Sequence, residues 1–236
     1  MQRPYPGGNV VFVINPLPPQ VDPVLVELLV RAEPATIGHF LNFGFMDPAI
    51  RALLPDRRIA GTAVTVRFTG DDSTIVHYAL GQLRPGDVLV MDRAGDTRHA
   101  GCGGGVAFAA REAGCRGIVI DGVATDIAEL RDYDMPVWAR GLSTVTTKRY
   151  FQQGEFCVPI SCGGVPVMPG DAILADENGV LVLKPAQIEA AANRAIKMQD
   201  DEKLRLAEVR AGAKLPDLNG TNQRIREILA KQQSGS

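Results

Sequence analysis

The sequence has 236 residues, of which 45% are hydrophobic and 22% are charged, a composition typical of a globular protein with its own core. Its formal net charge of −2 creates no overall field that would favour nucleic acid or an acidic membrane surface. The four cysteines form no C-x-x-C pair, and we find neither a secretion signal nor an apolar run of membrane-spanning length. These features predict a cytoplasmic protein with free thiols, which binds no nucleic acid and no membrane.

The first third of the chain is predicted to begin with a proline-rich arm, residues 1–34, in which prolines interrupt regular structure. A helix is predicted within this arm at about 24–31, and a second helix from about 35 to 44. The alternating, β-branched stretch at 61–68 is typical of a strand. Residues 73–81 have apolar positions at helical spacing and predict a helix.

The middle of the chain contains a short pattern that occurs twice. Pro-Gly-Asp at 85–87 precedes four apolar residues and an aspartate, and the same arrangement returns at 169–176. We interpret the two copies as equivalent turn-and-strand units. Between them, a helix is predicted at 103–113, a strand at 117–120 followed by an Asp-Gly turn, and a short helix at 126–132.

The last part of the chain is predicted to hold short strands followed by charged helices. Short strands mixed with helices and tight turns favour a layered, mixed α/β domain over a simple doubly wound sheet. The predicted strands are 136–139, 158–160, 165–167, 172–175 and 180–183, and the predicted helices run from about 185 and from 219 to 236.

A glycine-rich turn precedes the helix at 103–113. Gly101, Gly103, Gly104 and Gly105 would let an anion approach the exposed amides and partial positive charge of the helix start. A carboxylate or phosphate would suit such a site. Alternatively, the glycines only permit close packing of the backbone.

Asp126 follows a predicted strand and opens the next helix. One carboxylate in this position can hold Mg²⁺, which keeps most of its waters and needs few protein ligands. Alternatively, Asp126 caps the helix or interacts with its dipole. Glu129 lies on the same helical face and would either orient metal-bound water or be solvated.

Arg98 and His99 stand just before the glycine turn. Arg98 could clamp a carboxylate and His99 could act as a general acid or base, although both residues could equally be a surface charge and a structural hydrogen-bond partner. His39 and His77 fall in helical segments and are interpreted as structural. Cys162 has no histidine nearby in sequence and is interpreted as a small buried residue.

Several of these stretches together resemble the RraA-like family, which includes 4-hydroxy-4-methyl-2-oxoglutarate aldolases and the regulator of ribonuclease E activity. The matching pieces are IAGTAVTVRFTGDD, LRPGDVLVMD, GCRGIVIDGVATDIAEL, MPVWARG and VPISCGGVPVMPGDAILADENGVLVL. The resemblance implies a layered α/β sandwich with mixed sheets and a swivelling-domain-like β/β/α core. It also implies a homotrimer or a homohexamer. We expect the family domain at 35–200 and a C-terminal helical extension at 201–236.

The resemblance also implies a site. In the family's aldolases an arginine precedes the metal-binding aspartate, and an acidic residue opens the helix after the glycine turn. Asp126 and Glu129 match this pattern, whereas Thr125 stands at the arginine position and Gly104 at the acidic one. Candidates to replace the arginine are Arg98 and His99, with Arg140 and Lys148 as weaker ones.

The implied activity is that of a divalent-metal-dependent lyase acting on a 2-oxo acid. Mg²⁺ or Mn²⁺ on Asp126, with Glu129 acting through water, would stabilise an enolate while pyruvate is released. The substrate would be held by Gly103, Gly104, Gly105, Val106 and Thr125, and His99 or a metal-bound water would move the proton. The alternatives are a non-enzymatic regulatory protein and a hydratase or decarboxylase acting on another acid.

Overall fold

The computed structural model describes residues 11–234. The strands are β1 Val11–Ile14, β2 Arg51–Ala52, β3 Ile59–Arg67, β4 Asp87–Asp92, β5 Gly117–Ala124, β6 Val137–Leu142, β7 Gln153–Phe156, β8 Ile160–Cys162, β9 Val165–Val167, β10 Ala172–Asp176 and β11 Gly179–Leu183. The helices are α1 Pro23–Leu29, α2 Pro34–Ile37, α3 Thr74–Leu80, α4 Gly104–Glu112, α5 Ile127–Asp132, α6 Ile188–Arg210, α7 Leu215–Leu218 and α8 Thr221–Ser234, with a 3₁₀ turn at Pro185–Gln187 before α6.

One mixed sheet organises the fold. Its centre is the parallel set β3, β4, β5 and β6, and β7 and β1 extend it beyond β3. The hairpin of β10 and β11 joins the first half of β3 antiparallel, while β7 pairs with the end of β3. Strands β8 and β9 form a separate hairpin. The fold is therefore a mixed α/β fold, as predicted.

The central strands are apolar on both sides because both faces of the sheet are covered. Leu89, Met91 and Ile118 point into a core shared with helices α3, α4 and α5. Val88 and Val119 point to the other face, where the β8–β9 hairpin and β10 cover them. The result is a layered sandwich that leaves the carboxyl ends of β4 and β5 beneath the loops leading into α4 and α5.

Two predictions near the chain's start and centre were wrong. Prolines were expected to interrupt regular structure in the arm and no strand was predicted there, but β1 pairs in parallel with β7, so that Val11 lies opposite Gln153. The predicted turn at Asp121-Gly122 is absent, since β5 continues to Ala124 with a shift in register between Ile120 and Val123. A bulge of this kind absorbs the glycine without ending the strand.

Two further boundaries differ from prediction. The helix expected at 35–44 ends at Ile37, where Gly38 caps it and turns follow. The strand expected at 158–160 begins only at Ile160, since Cys157 has a positive φ of 52° and breaks the extended backbone. The short strand β7, before this break, was not predicted. Within residues 11–234 no helix combines the length and apolarity that crossing a lipid bilayer requires.

Candidate active site

The glycine turn is attached to the end of β5 by backbone hydrogen bonds. The Gly101 amide donates to the Val123 carbonyl at 3.0 Å, and the Thr125 amide donates to the Cys102 carbonyl at 2.9 Å. These bonds hold the start of α4 against the start of α5. Two segments more than twenty residues apart in sequence thereby form one site at the edge of the parallel strands.

Asp126 lies at the centre of this site in a left-handed backbone conformation, with φ 57° and ψ 42°. Aspartate tolerates this conformation better than most residues. Its Oδ2 accepts a hydrogen bond from the Gly104 amide at 3.0 Å, and its Oδ1 accepts one from the Thr125 hydroxyl at 3.2 Å. Within residues 11–234 Asp126 forms no ion pair. It is an exposed residue, and its Oδ2 faces the start of α4.

Two of the glycines lie very close to acidic side chains. A Cβ on Gly103 would lie 2.7 Å from Asp126 Oδ2, and a Cβ on Gly104 would overlap the carboxylate of Glu129. A Cβ on Gly105 would meet nothing within 4 Å. The glycine turn thus brings two carboxylates close to the helix start, and Glu129 Oε2 also accepts a hydrogen bond from the Tyr133 hydroxyl at 3.4 Å.

The start of α4 offers further donors to an anion. The first helical bond runs from the Ala107 amide to the Gly103 carbonyl, and therefore the amides of Gly105 and Val106 precede the regular ladder. Both residues, together with Thr125 and Asp126, line a cleft of about 710 Å³. Such a volume falls in the range of small-molecule sites.

Part of the cleft lining carries basic side chains, and we call this part the basic wall. It contains Lys148 and Arg149 from the loop after β6, and His77 from α3. Lys148 approaches Asp71 at 4.0 Å, whereas Arg149 has neither a hydrogen bond nor an ion pair among residues 11–234. Partial burial and the charge of Arg149 lower the pKa of His77 below its ordinary value. The imidazole is therefore neutral at pH 7 and able to accept a proton.

A buried aspartate holds the loop that carries Lys148 and Arg149, which we call the basic loop. Asp72 is 3% exposed and accepts hydrogen bonds from the amides of Tyr150 at 3.0 Å and Gln152 at 2.9 Å. The Thr74 hydroxyl accepts from the intervening amide of Phe151 at 2.9 Å. Burial opposes ionisation of Asp72, but its bonds from Thr74, Gln152 and Tyr150 outweigh this effect and lower its pKa.

The structure places Arg98 and His99 outside the cleft lining. The ring of His99 pairs through Nδ1 with Asp96 Oδ2 at 2.8 Å, and Asp96 also accepts from the backbone amides of both predicted residues. Burial opposes ionisation of Asp96, but hydrogen bonds from His99 and Arg98 and the charge of Arg93 lower its pKa to about 2. These contacts give the loop before the glycines a defined structure.

The structure also places the two weaker candidates for the missing arginine in different surroundings. Arg140 is engaged by Asp121 and Asp47 and does not line the cleft, whereas Lys148 does. Sequence reasoning missed Arg149 and interpreted His77 as structural. The only available signal was the run Thr-Thr-Lys-Arg at 146–149, whose place in the same cleft as Asp126 depends on the folded loop.

Asp126 and Glu129 are suited to a hard, largely hydrated cation. Carboxylate oxygens are the ligands that Mg²⁺ prefers, and Mg²⁺ is commonly held by one or two carboxylates plus substrate and water. In the part of the chain that the structure describes, no group of three or more His, Cys, Asp or Glu side chains could enclose a metal. Two carboxylates are fewer protein ligands than the four of a closed structural zinc site.

Comparisons with known proteins place this chain in a described family. The family model RraA-like, described as Aldolase/RraA, matches residues 38–182. The chain is also similar to the 4-hydroxy-4-methyl-2-oxoglutarate aldolase of Thermus thermophilus, with 37% identity over 127 residues, which cover 53% of this chain and 76% of the relative.

Two solved structures have the same fold. An uncharacterized protein from Pseudomonas syringae superposes with a TM-score of 0.73 at 23% identity, covering 87% of this chain and 98% of the other. The RNA-processing inhibitor RraA from Thermus superposes with a TM-score of 0.55 at 32% identity, covering 59% of this chain and 84% of the other. The similarity thus includes both an aldolase and an inhibitor.

Proposed function

The chain belongs to the RraA-like family, and we propose that it is a divalent-metal-dependent lyase that cleaves a 2-oxo acid and releases pyruvate. The aldolase named among its relatives supports the reaction type. The observation that carries the proposal is the position of Asp126. Its carboxylate is exposed, lies beside the amides at the start of α4 and opens into a cleft of about 710 Å³.

The cation is proposed to be Mg²⁺ or Mn²⁺, held by Asp126 directly and by Glu129 through water. When bound, it supplies Lewis-acid stabilisation of negative charge on the substrate's keto oxygen. The Thr125 hydroxyl and the Gly104 amide orient the Asp126 carboxylate, because they donate to its two different oxygens. Because the carboxylate is already oriented, it does not have to reorganise when negative charge develops on the substrate nearby.

The substrate carboxylate is proposed to bind at the start of α4. The amides of Gly105 and Val106 precede the first helical bond and lie at the positive end of the helix. The basic wall is proposed to take the role that the family resemblance assigns to an arginine at position 125. Arg149 suits it best, because its guanidinium has no acidic partner among residues 11–234 and it lines the same cleft.

The proton is proposed to move through His77. In an aldol cleavage the substrate hydroxyl loses a proton, and the carbon–carbon bond breaks. The electron pair goes to the pyruvate unit, whose methyl carbon is then protonated. His77 lines the cleft, and its lowered pKa favours the neutral, proton-accepting form at pH 7. His99 is bound to Asp96 outside the cleft lining.

The test is pyruvate release from 4-hydroxy-4-methyl-2-oxoglutarate and from oxaloacetate by the purified protein, with and without Mg²⁺ or Mn²⁺. Asp126→Asn preserves side-chain shape and tolerates the left-handed backbone, so it should fold and lose about 100-fold or more in turnover. Asp132→Asn, at the far end of α5, is the matched control. Metal-independent turnover, or full activity in Asp126→Asn, would refute the lyase.

A second candidate function is regulation of RNA processing. It is favoured by the similarity to the Thermus inhibitor and by Thr125, which lacks the charge of an arginine. The purified protein would then slow cleavage of an RNA substrate by an RNA-processing endonuclease in proportion to its concentration. Inhibition that persists in Asp126→Asn, with no pyruvate release by the wild-type protein, would favour the regulatory function over the lyase.

A further inference from the structure

A second, apolar cavity adjoins the candidate active site. It has a volume of about 450 Å³, and its apolar lining comes from Phe12, Ile14, Ile75, Tyr78 and Phe151. We call these five residues the apolar annex. The cavity shares three lining residues with the polar cleft, which are His77, Arg149 and Phe151. A ligand that lies over Asp126 and contacts these three residues is therefore next to the annex.

The boundary between the two cavities is held rigidly. Three consecutive amides, of residues 150 to 152, donate to the side chains of Asp72 and Thr74. This arrangement fixes Phe151 in a left-handed backbone conformation, with φ 59°, which is unusual for a bulky residue. Its ring is 64% exposed and lies on the shared wall. The local strain is offset by the surrounding hydrogen bonds, as at many ligand-binding sites.

The lining of the annex is suited to an aromatic group. Three of its five residues carry rings, and Ile14 and Tyr78 keep 48% and 40% of their surface exposed, so a ligand would find accessible apolar surface. Arg149, on the shared wall, can stack on a ring or pair with a substrate carboxylate. Ligand sites commonly combine such an apolar lining with a few polar groups.

We propose that the apolar annex binds the aromatic tail of a 2-oxo acid whose reactive end lies at Asp126. This inference rests on the proposed function for the position of the reactive end. It adds a substrate class, a 2-oxo acid with an aromatic substituent, and it assigns Phe151 and Ile14 to specificity. The structural basis is that His77, Arg149 and Phe151 line both cavities.

The experiment measures binding by calorimetry on the full-length protein with Mg²⁺. The probes are pyruvate, phenylpyruvate and 2-oxo-4-phenylbutanoate, which add an aromatic ring at increasing distance. Because burying a ring removes considerable apolar area from water, at least one aromatic acid should bind about tenfold more tightly than pyruvate. Equal affinity for all three acids would overturn the proposal that the annex binds an aromatic tail.

Two variants on one strand localise the effect. Ile14→Lys places a charge in the annex and should abolish the preference for the aromatic acid over pyruvate. Val13→Lys changes the neighbouring residue of the same strand, which does not line the annex, and should keep the wild-type preference.

A third variant changes the wall that the two cavities share. Phe151→Asn introduces a residue that tolerates the left-handed backbone and should weaken the preference. Retention of the full preference in Ile14→Lys would overturn the proposal.

The results separate this inference from the proposed function. Aromatic acids that bind in an Ile14-dependent way without pyruvate release would support the annex and refute the lyase. Pyruvate release without any aromatic preference would overturn the proposed role of the annex but remain consistent with the lyase function. Sedimentation of both lysine variants tests the other occupant, a second copy of the chain. A change of oligomeric state in Ile14→Lys alone would assign the annex to a subunit interface and overturn the proposal.

Discussion

The carboxylate of Glu129 occupies the space in which a side chain on Gly104 would lie. An acidic residue at position 104 would place a carboxylate there from α4, whereas in this chain Glu129 of α5 supplies one. The same backbone position, the Gly104 amide, donates to Asp126. Glycine at 104 therefore allows two acidic side chains of α5 and its cap to converge on the start of α4.

Replacing Gly104 by alanine should displace Glu129 and weaken cation binding. Mn²⁺ affinity, measured by electron paramagnetic resonance, should fall about 10- to 100-fold, the usual effect of losing an outer ligand. The free energy of unfolding should change by less than about 1 kcal/mol, because Glu129 is exposed and can rotate into solvent. In Gly105→Ala, where the added Cβ meets nothing within 4 Å, Mn²⁺ affinity should not change. Equal Mn²⁺ affinity in both variants would contradict the role of Glu129.

Introducing an arginine at position 125 should strengthen binding of the substrate carboxylate. Thr125 lines the cleft next to Asp126, and a guanidinium can form two parallel bonds with a carboxylate. We expect Thr125→Arg to lower KM for the 2-oxo acid about tenfold, while Thr125→Lys lowers it less. Steady-state kinetics of pyruvate release measure both values. An unchanged or higher KM in Thr125→Arg would contradict this prediction.

The two histidines should respond differently to substitution. His77→Ala should reduce turnover about 100-fold or more, because it removes the imidazole that lines the cleft. His99→Ala should instead mainly lower the melting temperature, since Asp96 loses its ring partner. In the wild type, turnover should fall as the pH drops below the lowered pKa of His77, where the ring becomes protonated. A greater loss of turnover in His99→Ala than in His77→Ala would reverse the assignment.

Asp72→Asn should destabilise the basic loop. Asp72 is buried and accepts from the amides of Thr74, Tyr150 and Gln152, and an amide side chain has only one oxygen to do so. Urea denaturation at pH 7 should show a loss of about 1–3 kcal/mol.

The pH dependence gives a second check. The folded pKa of Asp72 is lowered, so its contribution is present above the unfolded pKa and is lost as the pH falls through the folded pKa. The stability difference between wild type and Asp72→Asn should therefore shrink in acid. Asp71→Asn, at a half-exposed neighbour, is the control and should cost less. A difference that does not vary with pH would contradict ionised Asp72 as the clamp.

Local pattern was sufficient for the centre of the fold. The alternation at 61–68, the apolar run at 88–91 and the small residues of 103–113 each predicted an element within two residues of its observed bounds, since period and turn chemistry act over neighbouring residues. The glycine turn and Asp126 were identified in the same way, because both stand at element boundaries.

Only the tertiary structure decided which groups line the cleft together with Asp126. Arg98 and His99 lie near the glycines in sequence but pair with Asp96, while His77 and Arg149 reach the cleft from α3 and from a loop held by Asp72. Pairing of β1 with β7 likewise joins Val11 to Gln153. Sequence determined the local conformations, because these depend on adjacent residues. The composition of the site was decided by strand order and by the buried carboxylate of Asp72. Both join residues more than seventy positions apart, as in the pairing of Val11 with Gln153 and the bond from Tyr150 to Asp72.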